Sequence, residues 1–185
     1  LAGTALVKDI APGPVPSHPT GFIEANGAVF FTATTEAAGT ELWKAEGSEA
    51  GTQQLKDTVL GPGPPGIAGL QRLGDLAVST ATDARGTELW KSDGTAAGTQ
   101  ILRDIVSGPG SSFPTLLAVG DDELLFSATS SGVRQLWRTD GTRDGSFVIA
   151  SVPTATTPAL WWNGVLYFKG SDGSTGNELW RSDLT

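Results

Sequence analysis

Apolar residues fall in short segments in which apolar and polar positions alternate, and turn residues separate these segments. A period of two is typical of strands with one buried face, and no segment of useful length has the period of a helix. The pattern predicts strands at residues 20–25, 28–34, 40–45 and 53–58, and near the C-terminus at 158–162, 165–169 and 177–181. We therefore expect an all-β protein.

Two dipeptides predict tight hairpins, Asn26-Gly27 and Asn163-Gly164. A two-residue primed turn needs positive φ at both central positions, which Asn and Gly tolerate best. Longer Pro- and Gly-rich stretches, such as residues 61–66, cannot continue a ladder and are expected to cross from one sheet to the next.

The chain contains an internal repeat of about 47 residues. Each copy carries an acidic or amide residue followed by Leu, Trp and a basic residue, at Glu41–Lys44, Glu88–Lys91, Gln135–Arg138 and Glu178–Arg181. Four-stranded units of this length in tandem are typical of propeller blades. The repeat predicts one β-propeller domain over residues 1–185, with four four-stranded blades at about 6–53, 54–100, 101–147 and 148–185 plus 1–5.

The two ends of the chain predict how the ring closes. Asp183-Leu184-Thr185 followed by residues 1–4 reads as one copy of the element at 93–99, and residues 5–10 match the outer strand of other copies. We expect this N-terminal strand to complete the last blade, because the pairing leaves no unfinished blade. Two chains in one eight-bladed ring, or a window from a longer array, are the alternatives.

The recurring residues are expected to be structural. The tetrad tryptophans should pack between adjacent sheets, since each aromatic side chain can bury about 150–250 Å²; they are Trp43, Trp90, Trp137 and Trp180. A recurring Asp in the turn after the tetrad should cap its own turn, with calcium ligation as the alternative. These turn residues are Asp93, Asp140 and Asp183.

These tetrads and turns resemble the ELWxxDGT repeat of bacterial secreted and surface proteins, most closely at residues 88–95. The resemblance covers the whole chain and departs from the motif at Gln135, Glu46, Ser48 and Leu184. It implies a propeller-like fold and an extracellular or cell-envelope location. The resemblance identifies no catalytic residues in this chain.

Composition narrows the choice of partners. The net charge is −8 and no run of Lys or Arg occurs, so nucleic acid and anionic membrane are poor partners. No stretch approaches the roughly 18 apolar residues of a membrane span, so membrane insertion is not expected. Cysteine is absent and His18 is the only histidine, so we expect no typical zinc site and no cofactor.

Loop residues that differ between the copies are candidates for binding. In a propeller, blade-to-blade loops and second-to-third-strand loops share one face, and His18, Asp83, Arg85, Arg134 and Asp172 fall there. Variable loops on a rigid scaffold are where binding usually occurs. His18 occupies the position of a Phe in the third copy. The alternative to a binding role is a ring that is packed against the protein or has only its tip in solvent.

Trp161-Trp162 is a further departure from the other copies. Adjacent strand residues point to opposite faces, so one ring is expected to fill the space left by the shorter last repeat. The other ring would then be available, with Tyr167, for an apolar or sugar contact.

No acid–base pair, nucleophile triad, metal triad or phosphate loop stands out, although acids from separate blades, such as Glu36, Asp83 or Asp172, could converge. We therefore expect a non-enzymatic binding module, monomeric or homodimeric, with a protein or glycan partner. A carbohydrate-binding lectin is the first alternative, and a glycan-cleaving enzyme is the second.

Overall fold

The computed structural model describes residues 3–58, 61, 66–120, 122–150 and 156–183. The regular elements in these ranges are strands, which form three four-stranded sheets and one three-stranded sheet, all antiparallel. The first sheet has β1 (Thr20–Ala25), β2 (Ala28–Thr35), β3 (Gly39–Ala45) and β4 (Gln53–Lys56). The second has β5 (Ile67–Leu73), β6 (Leu76–Asp83), β7 (Gly86–Ser92) and β8 (Gln100–Arg103).

The third sheet has β9 (Thr115–Val119), β10 (Leu124–Ser130), β11 (Val133–Thr139) and β12 (Phe147–Ala150). The fourth has β13 (Thr156–Trp162), β14 (Val165–Gly170) and β15 (Glu178–Ser182). The predicted all-β fold is confirmed, and the strands expected in the first and last copies are present with closely similar bounds.

Both predicted Asn-Gly hairpins are confirmed. Asn26 and Gly27 have φ of 48° and 71°, and Asn163 and Gly164 have φ of 50° and 75°. Positive φ at both positions is what a primed two-residue turn requires, and its twist matches that of the flanking strands. Each hairpin therefore joins the first two strands of its sheet and fixes their register.

The sheets pack in chain order through their first strands. Strand β1 contacts β5, β5 contacts β9, and β9 contacts β13. The repeated tetrad explains this order, because its Leu and Trp point to opposite faces of the third strand. At the three junctions between sheets in the described residues, the Trp packs towards the preceding sheet and the Leu towards the following one, so a single short motif supplies both sides of each junction.

The cores between sheets show this division directly. Leu42 and Trp90 share the core between the first and second sheets, and Leu89 and Trp137 share the core between the second and third. In the next core Leu136 is buried, and Trp180 packs against it while partly exposed. The predicted packing between sheets therefore holds for Trp90, Trp137 and Trp180. Trp43 instead lies on the outer side of the first sheet, with Phe31 and against Ile10 of the N-terminal segment.

The turn that follows the tetrad is closed by its Asp, as predicted. Oδ1 of Asp93 accepts hydrogen bonds from the backbone N–H and the hydroxyl of Thr95, at 2.9 and 2.7 Å. Asp140 and Thr142 make the same pair of bonds in the third sheet, at 2.8 and 2.7 Å. These hydrogen bonds to the charged form lower the pKa of both carboxyl groups. The residues after Asp183 lie outside the described ranges.

The expected closure of the ring by the N-terminal strand was wrong for this structure. Residues 4–9 are not a strand, and the fourth sheet consists of β13, β14 and β15 alone. The N-terminal segment lies against the first sheet, where Nζ of Lys8 donates to the carbonyl of Thr52 at 2.9 Å, but it is not paired with β15. The physical reason is that the segment's contacts are with the first sheet, from Lys8 to Thr52 and from Ile10 to the cluster of Phe31 and Trp43. The predicted join at residues 184–185 and 1–2 lies outside the described residues.

Candidate interaction surfaces

The crossing loop before each sheet lies against a turn of the sheet before it. Between the second and third sheets, the N–H of Thr87 donates to Oγ of Ser111 at 2.9 Å, and the carbonyl of Thr87 accepts from the N–H of Ser112 at 3.1 Å. A Cβ added at Gly86 would lie 2.1 Å from the carbonyl oxygen of Gly110. Only glycine permits this approach, so turn and loop form one continuous surface.

The buried side chain of Glu88 holds the crossing loop that forms this surface. The carboxylate is fully buried and accepts hydrogen bonds from the N–H and hydroxyl of Ser112, at 3.0 and 2.7 Å, and from the N–H of Ile105 at 3.1 Å. Burial is the largest influence and raises the pKa of Glu88, while these donors partly oppose it. The tetrad acid therefore holds the crossing loop against β7.

Phe113 projects from this loop into solvent. Its side chain is 61% exposed, and its backbone is left-handed with φ of 47°. The carbonyl of Phe113 accepts from Nη1 of Arg134 at 3.2 Å, and its N–H donates to the carbonyl of Thr87 at 3.3 Å. An exposed aromatic ring is thus held in a conformation that non-glycine residues rarely adopt.

His18 has the same conformation at the matching position before the first sheet. Its φ is 46° and it is exposed, so the predicted equivalence with Phe113 holds in the backbone as well as in the sequence. The two rings mark equivalent points on two crossing loops.

Arg85 and Arg134 are both engaged within their own sheets. Arg85 donates to Asp83 at 2.8 Å across the β6–β7 turn, and its guanidinium lies 5.9 Å from the ring centroid of Trp90. Arg134 donates to Oγ of Ser127 at 2.7 Å and to the hydroxyl of Thr115 at 2.6 Å. We call the surface formed by Asp83, Arg85, Phe113 and Arg134 the loop patch.

Asp172 is the last residue predicted for the loop face. Its carboxylate is hydrogen-bonded within its own turn. Its Oδ1 accepts from the N–H groups and hydroxyls of Ser174 and Thr175, at 2.8 to 3.0 Å. These four bonds lower the pKa of the Asp172 carboxyl far below its ordinary value. The turn lies between β14 and β15, which is the position that the β6–β7 turn has in the second sheet.

The acids considered for catalysis lie at the second-to-third-strand turns of three different sheets. Asp83 is paired with Arg85 and Asp172 is held in its own turn, while Glu36 is exposed on the β2–β3 turn. Among the residues that the structure describes, no three His, Asp or Glu side chains lie together as metal ligands would.

The two adjacent tryptophans of β13 separate as the alternation of a strand requires. Trp161 packs against the core between the third and fourth sheets, close to Gly120. Trp162 points the opposite way, is 58% exposed, and lies 6.1 Å from Tyr167 between ring centroids. The predicted split between a packing ring and an exposed ring matches this placement.

Trp162 belongs to an apolar face on the fourth sheet. Cross-strand pairing places Leu160 opposite Tyr167, and Lys169 opposite Leu179, so these side chains share the face that points away from the third sheet. Residues on it line a depression of about 410 Å³. We call Leu160, Trp162, Tyr167 and Leu179 the trailing face.

The first sheet has a corresponding apolar face at the other end of the row. Phe22 is 60% exposed and stacks on Phe31 with a centroid distance of 5.5 Å, and Val29 is exposed nearby. The N-terminal segment covers part of it and encloses a groove of about 380 Å³. We call Phe22, Val29, Phe31 and Ala45 the leading face.

Comparison with solved structures shows the fold. The chain is similar to a puromycin hydrolase mutant complexed with PGG, with a TM-score of 0.59 and 17% identity over 90% of this chain and 27% of that one. It is also similar to TolB from Acinetobacter baumannii, with a TM-score of 0.52 and 15% identity over 84% of this chain and 38% of that one. Both folds are propeller-like, so the all-β chain has a propeller-like arrangement of sheets. The chain spans well under half of either structure. No family model and no curated protein matches it.

Sequence reasoning missed the tetrad acid and the end faces. Glu41, Glu88 and Glu178 recur in the tetrad, which was a usable signal for a shared role, although the third copy has Gln135. The end faces carried no signal of their own, because their residues are the ones that every copy uses to pack against its neighbours.

Proposed function

We propose that this protein is a non-enzymatic binding module that presents the loop patch to a protein partner. The observation that carries this proposal is Phe113, whose ring is 61% exposed while its backbone is left-handed. Such a conformation is unfavourable by about 1–3 kcal/mol for a non-glycine residue and is typically found where function requires it.

The surroundings of Phe113 support a role in recognition. The backbone is held from two sides, by Arg134 and by Thr87, so the ring is presented in one direction. Arg85 lies on the turn that packs against the same loop, through Gly86. Aromatic and arginine side chains on a rigid base are the residues that most often dominate the energy of protein–protein binding. His18 presents a second ring at the matching position of the first crossing loop.

The proposed location is extracellular or in the cell envelope. It rests on the resemblance to the ELWxxDGT repeat at residues 88–95. Among the described residues, no helix is long and apolar enough to cross a membrane.

A lectin is the second candidate, because the exposed ring of Trp162 lies beside the half-buried ring of Tyr167. Sugar rings stack on such pairs. However, the positions that match them in the first sheet, Ala25 and Phe30, are buried in the core between the first and second sheets. That equivalence favours packing against another sheet over sugar binding.

Selection from a random peptide display library tests the proposal. Peptides selected on the wild-type chain should lose binding to the Phe113→Ala variant and keep it on Phe147→Ala, since Phe147 is also an exposed aromatic residue but pairs with Arg138, towards the other end of β11 from Arg134. Undiminished binding to Phe113→Ala would overturn the proposal. On a glycan array, binding that is lost with Trp162→Ala would support the lectin instead.

A further inference from the structure

Each junction inside the chain is built from equivalent residues. Strand pairing aligns Leu179 with Leu42, Leu89 and Leu136, which are all buried against the following sheet. It aligns Tyr167 with Phe30, Val78 and Leu125, which are buried in the same three cores. Leu179 is 77% exposed because no sheet follows the fourth in the described residues. The trailing face is therefore half of a sheet junction.

The leading face is the complementary half. Val29 occupies the position of Ala77, and Trp43 that of Trp90, both of which face the preceding sheet in the first internal junction. Phe22 corresponds in the same way to Leu70, which is buried there. Within the described part of the chain, the N-terminal segment covers this side of the first sheet, through Ile10.

The N-terminal segment has the position of an outer strand that belongs to a preceding sheet. Lys56 of β4 donates to the carbonyl of Thr99 in the following sheet at 2.9 Å, and Arg103 of β8 donates to the carbonyl of Arg143 at 2.9 Å. Lys8 makes the equivalents of both bonds, to the carbonyl of Thr52 at 2.9 Å and to the carbonyl of Glu49 at 3.4 Å. The segment is therefore already docked on the first sheet as a fourth strand would be, while β15 lacks a fourth strand in the described residues.

Polar groups at the two ends also correspond. Inside the chain, Lys91 donates to the carbonyl of Gly141 in the next sheet at 2.9 Å, and Asn26 donates to the carbonyl of Asp93 at 3.1 Å. The fourth sheet has Arg181 and Asn163 at the donor positions. The first sheet has the carbonyls of Gly47 and Glu46 at the acceptor positions, and Gly47 shares the positive φ of Gly94 and Gly141.

We infer that the partner of both end faces is a second copy of this chain. The trailing face of each copy packs on the leading face of the other, and the N-terminal segment of each copy becomes the fourth strand beside β15 of the other. This inference goes beyond the proposed function and does not depend on the loop patch.

Two copies satisfy the geometry of a closed ring. Copies joined head to tail form a closed ring when the rotations between neighbouring copies add up to a full turn, and an open filament when they do not. Propellers typically contain about four to eight blades, so two copies of four sheets reach the upper end of this range and three copies exceed it. Closure within one copy would require β13 to meet β1, and no contact as extensive as that between β9 and β13 joins them in the described residues.

The same closure would complete the loop face. Inside the chain, the β6–β7 turn lies against the crossing loop that presents Phe113. At the junction between copies, the turn of Asp172 in one copy would take the same place beside the crossing loop of His18 in the other. Two of the residues predicted for the loop face would thus meet only in the dimer.

Light scattering after size exclusion, over a wide range of concentrations, tests the inference. The 185-residue chain should form a dimer of twice its 19.0 kDa mass. Leu179→Lys on the trailing face and Val29→Lys on the leading face should each give a monomer with an unchanged circular dichroism spectrum, because both side chains are exposed in the single chain. The matched control Val133→Lys should remain dimeric.

Mixing the two single variants distinguishes this arrangement from a symmetric one. A mixed pair has one junction with both substitutions and one junction with none, so an equimolar mixture should recover heterodimer that neither variant forms alone. A wild-type monomer at every concentration, an open series of larger oligomers, or a dimer that survives both substitutions would overturn the inference. Because Phe113 is on neither face, Phe113→Ala should leave the dimer intact, and this separates failure of the dimer from failure of the proposed function.

Discussion

Glu88 and Ser112 are joined by two hydrogen bonds although 24 residues separate them, with the N–H and the hydroxyl of Ser112 both donating to the buried carboxylate. The N–H of Ile105 donates to the same carboxylate. One side chain of β7 therefore fixes both ends of the crossing loop that presents Phe113. The loop patch depends on this buried acid as much as on its exposed residues.

Replacing Glu88 by Gln should reduce stability by about 1–3 kcal/mol near neutral pH, because an amide N–H then faces backbone donors in a buried site. The third copy has Gln135 at this tetrad position, so the variant is expected to fold. Urea unfolding at a single pH, monitored by tryptophan fluorescence, measures the difference.

The pKa of Glu88 determines how the stability difference between wild type and Glu88→Gln changes with pH. Burial raises the pKa of Glu88 above its ordinary value of 4.5, so the folded state binds more protons than the unfolded state between the two pKa values. Stability contributed by the group is fully present below about pH 4.5 and is lost as pH rises through the folded pKa. The advantage of wild type over Glu88→Gln should therefore shrink as pH rises through this window. An advantage that grows with pH would show that the donors outweigh burial.

The tetrad and the trailing face should respond differently to loss of an aromatic ring. Trp90→Ala should reduce the free energy of unfolding by about 3–5 kcal/mol, because it empties a packed core between two sheets. Trp162→Ala should reduce it by less than about 1 kcal/mol when both are measured in the monomeric Leu179→Lys background, since that ring is then largely exposed. Equal losses would mean that Trp162 is buried within a single chain.

The contact between Gly86 and Gly110 should be intolerant of any side chain. Gly86→Ala combines positive φ with a backbone clash, whereas the control Gly132→Ala has positive φ with open space around the new Cβ. The control should lose about 1–2 kcal/mol from strain alone, and Gly86→Ala should lose clearly more. Thermal unfolding of the two variants measures the difference, and equal melting temperatures would show that the loop yields without cost.

The turn after the tetrad should depend on its Asp. Asp140→Ala removes two hydrogen bonds to Thr142 and is expected to cost about 0.5–1.5 kcal/mol at neutral pH. The pKa of Asp140 is lowered in the folded state, so this contribution is present above the unfolded pKa and is lost as pH falls through the folded pKa. Chemical unfolding at neutral and acidic pH measures it. Asp144→Ala, an exposed acid of the same turn, should be nearly neutral, and an equal loss there would indicate a general charge effect.

Local patterns predicted much of this fold because local physics decides it. The Asn26-Gly27 hairpin follows from the φ that each residue tolerates, and the opposite directions of Leu89 and Trp90 follow from strand alternation. The tetrad repeat then predicts which residues meet between sheets. These features need only neighbouring residues or neighbouring copies.

The sequence could not determine the features that depend on long-range approach. A repeat shows that residues 5–10 are equivalent to β4 and β8, but it does not show which sheet they complete, since the same junction can form within one chain or between two. The exposure of Phe113 and the packing of Gly86 on Gly110 depend on how a crossing loop meets a turn of another sheet. Neither feature produces a repeating pattern in the sequence.

Hydrogen exchange along β15 tests the central claim, that the two ends of the row of sheets are halves of one repeated junction. Among the residues that the structure describes, β15 has a strand on one side only, whereas the equivalent strand β7 lies between β6 and β8. At concentrations where the chain is monomeric, amides of residues 178–182 should exchange faster than those of residues 88–92. On raising the concentration, β15 should approach the protection of β7. Full protection of β15 in the monomer, or no gain of protection at any concentration, would contradict the account.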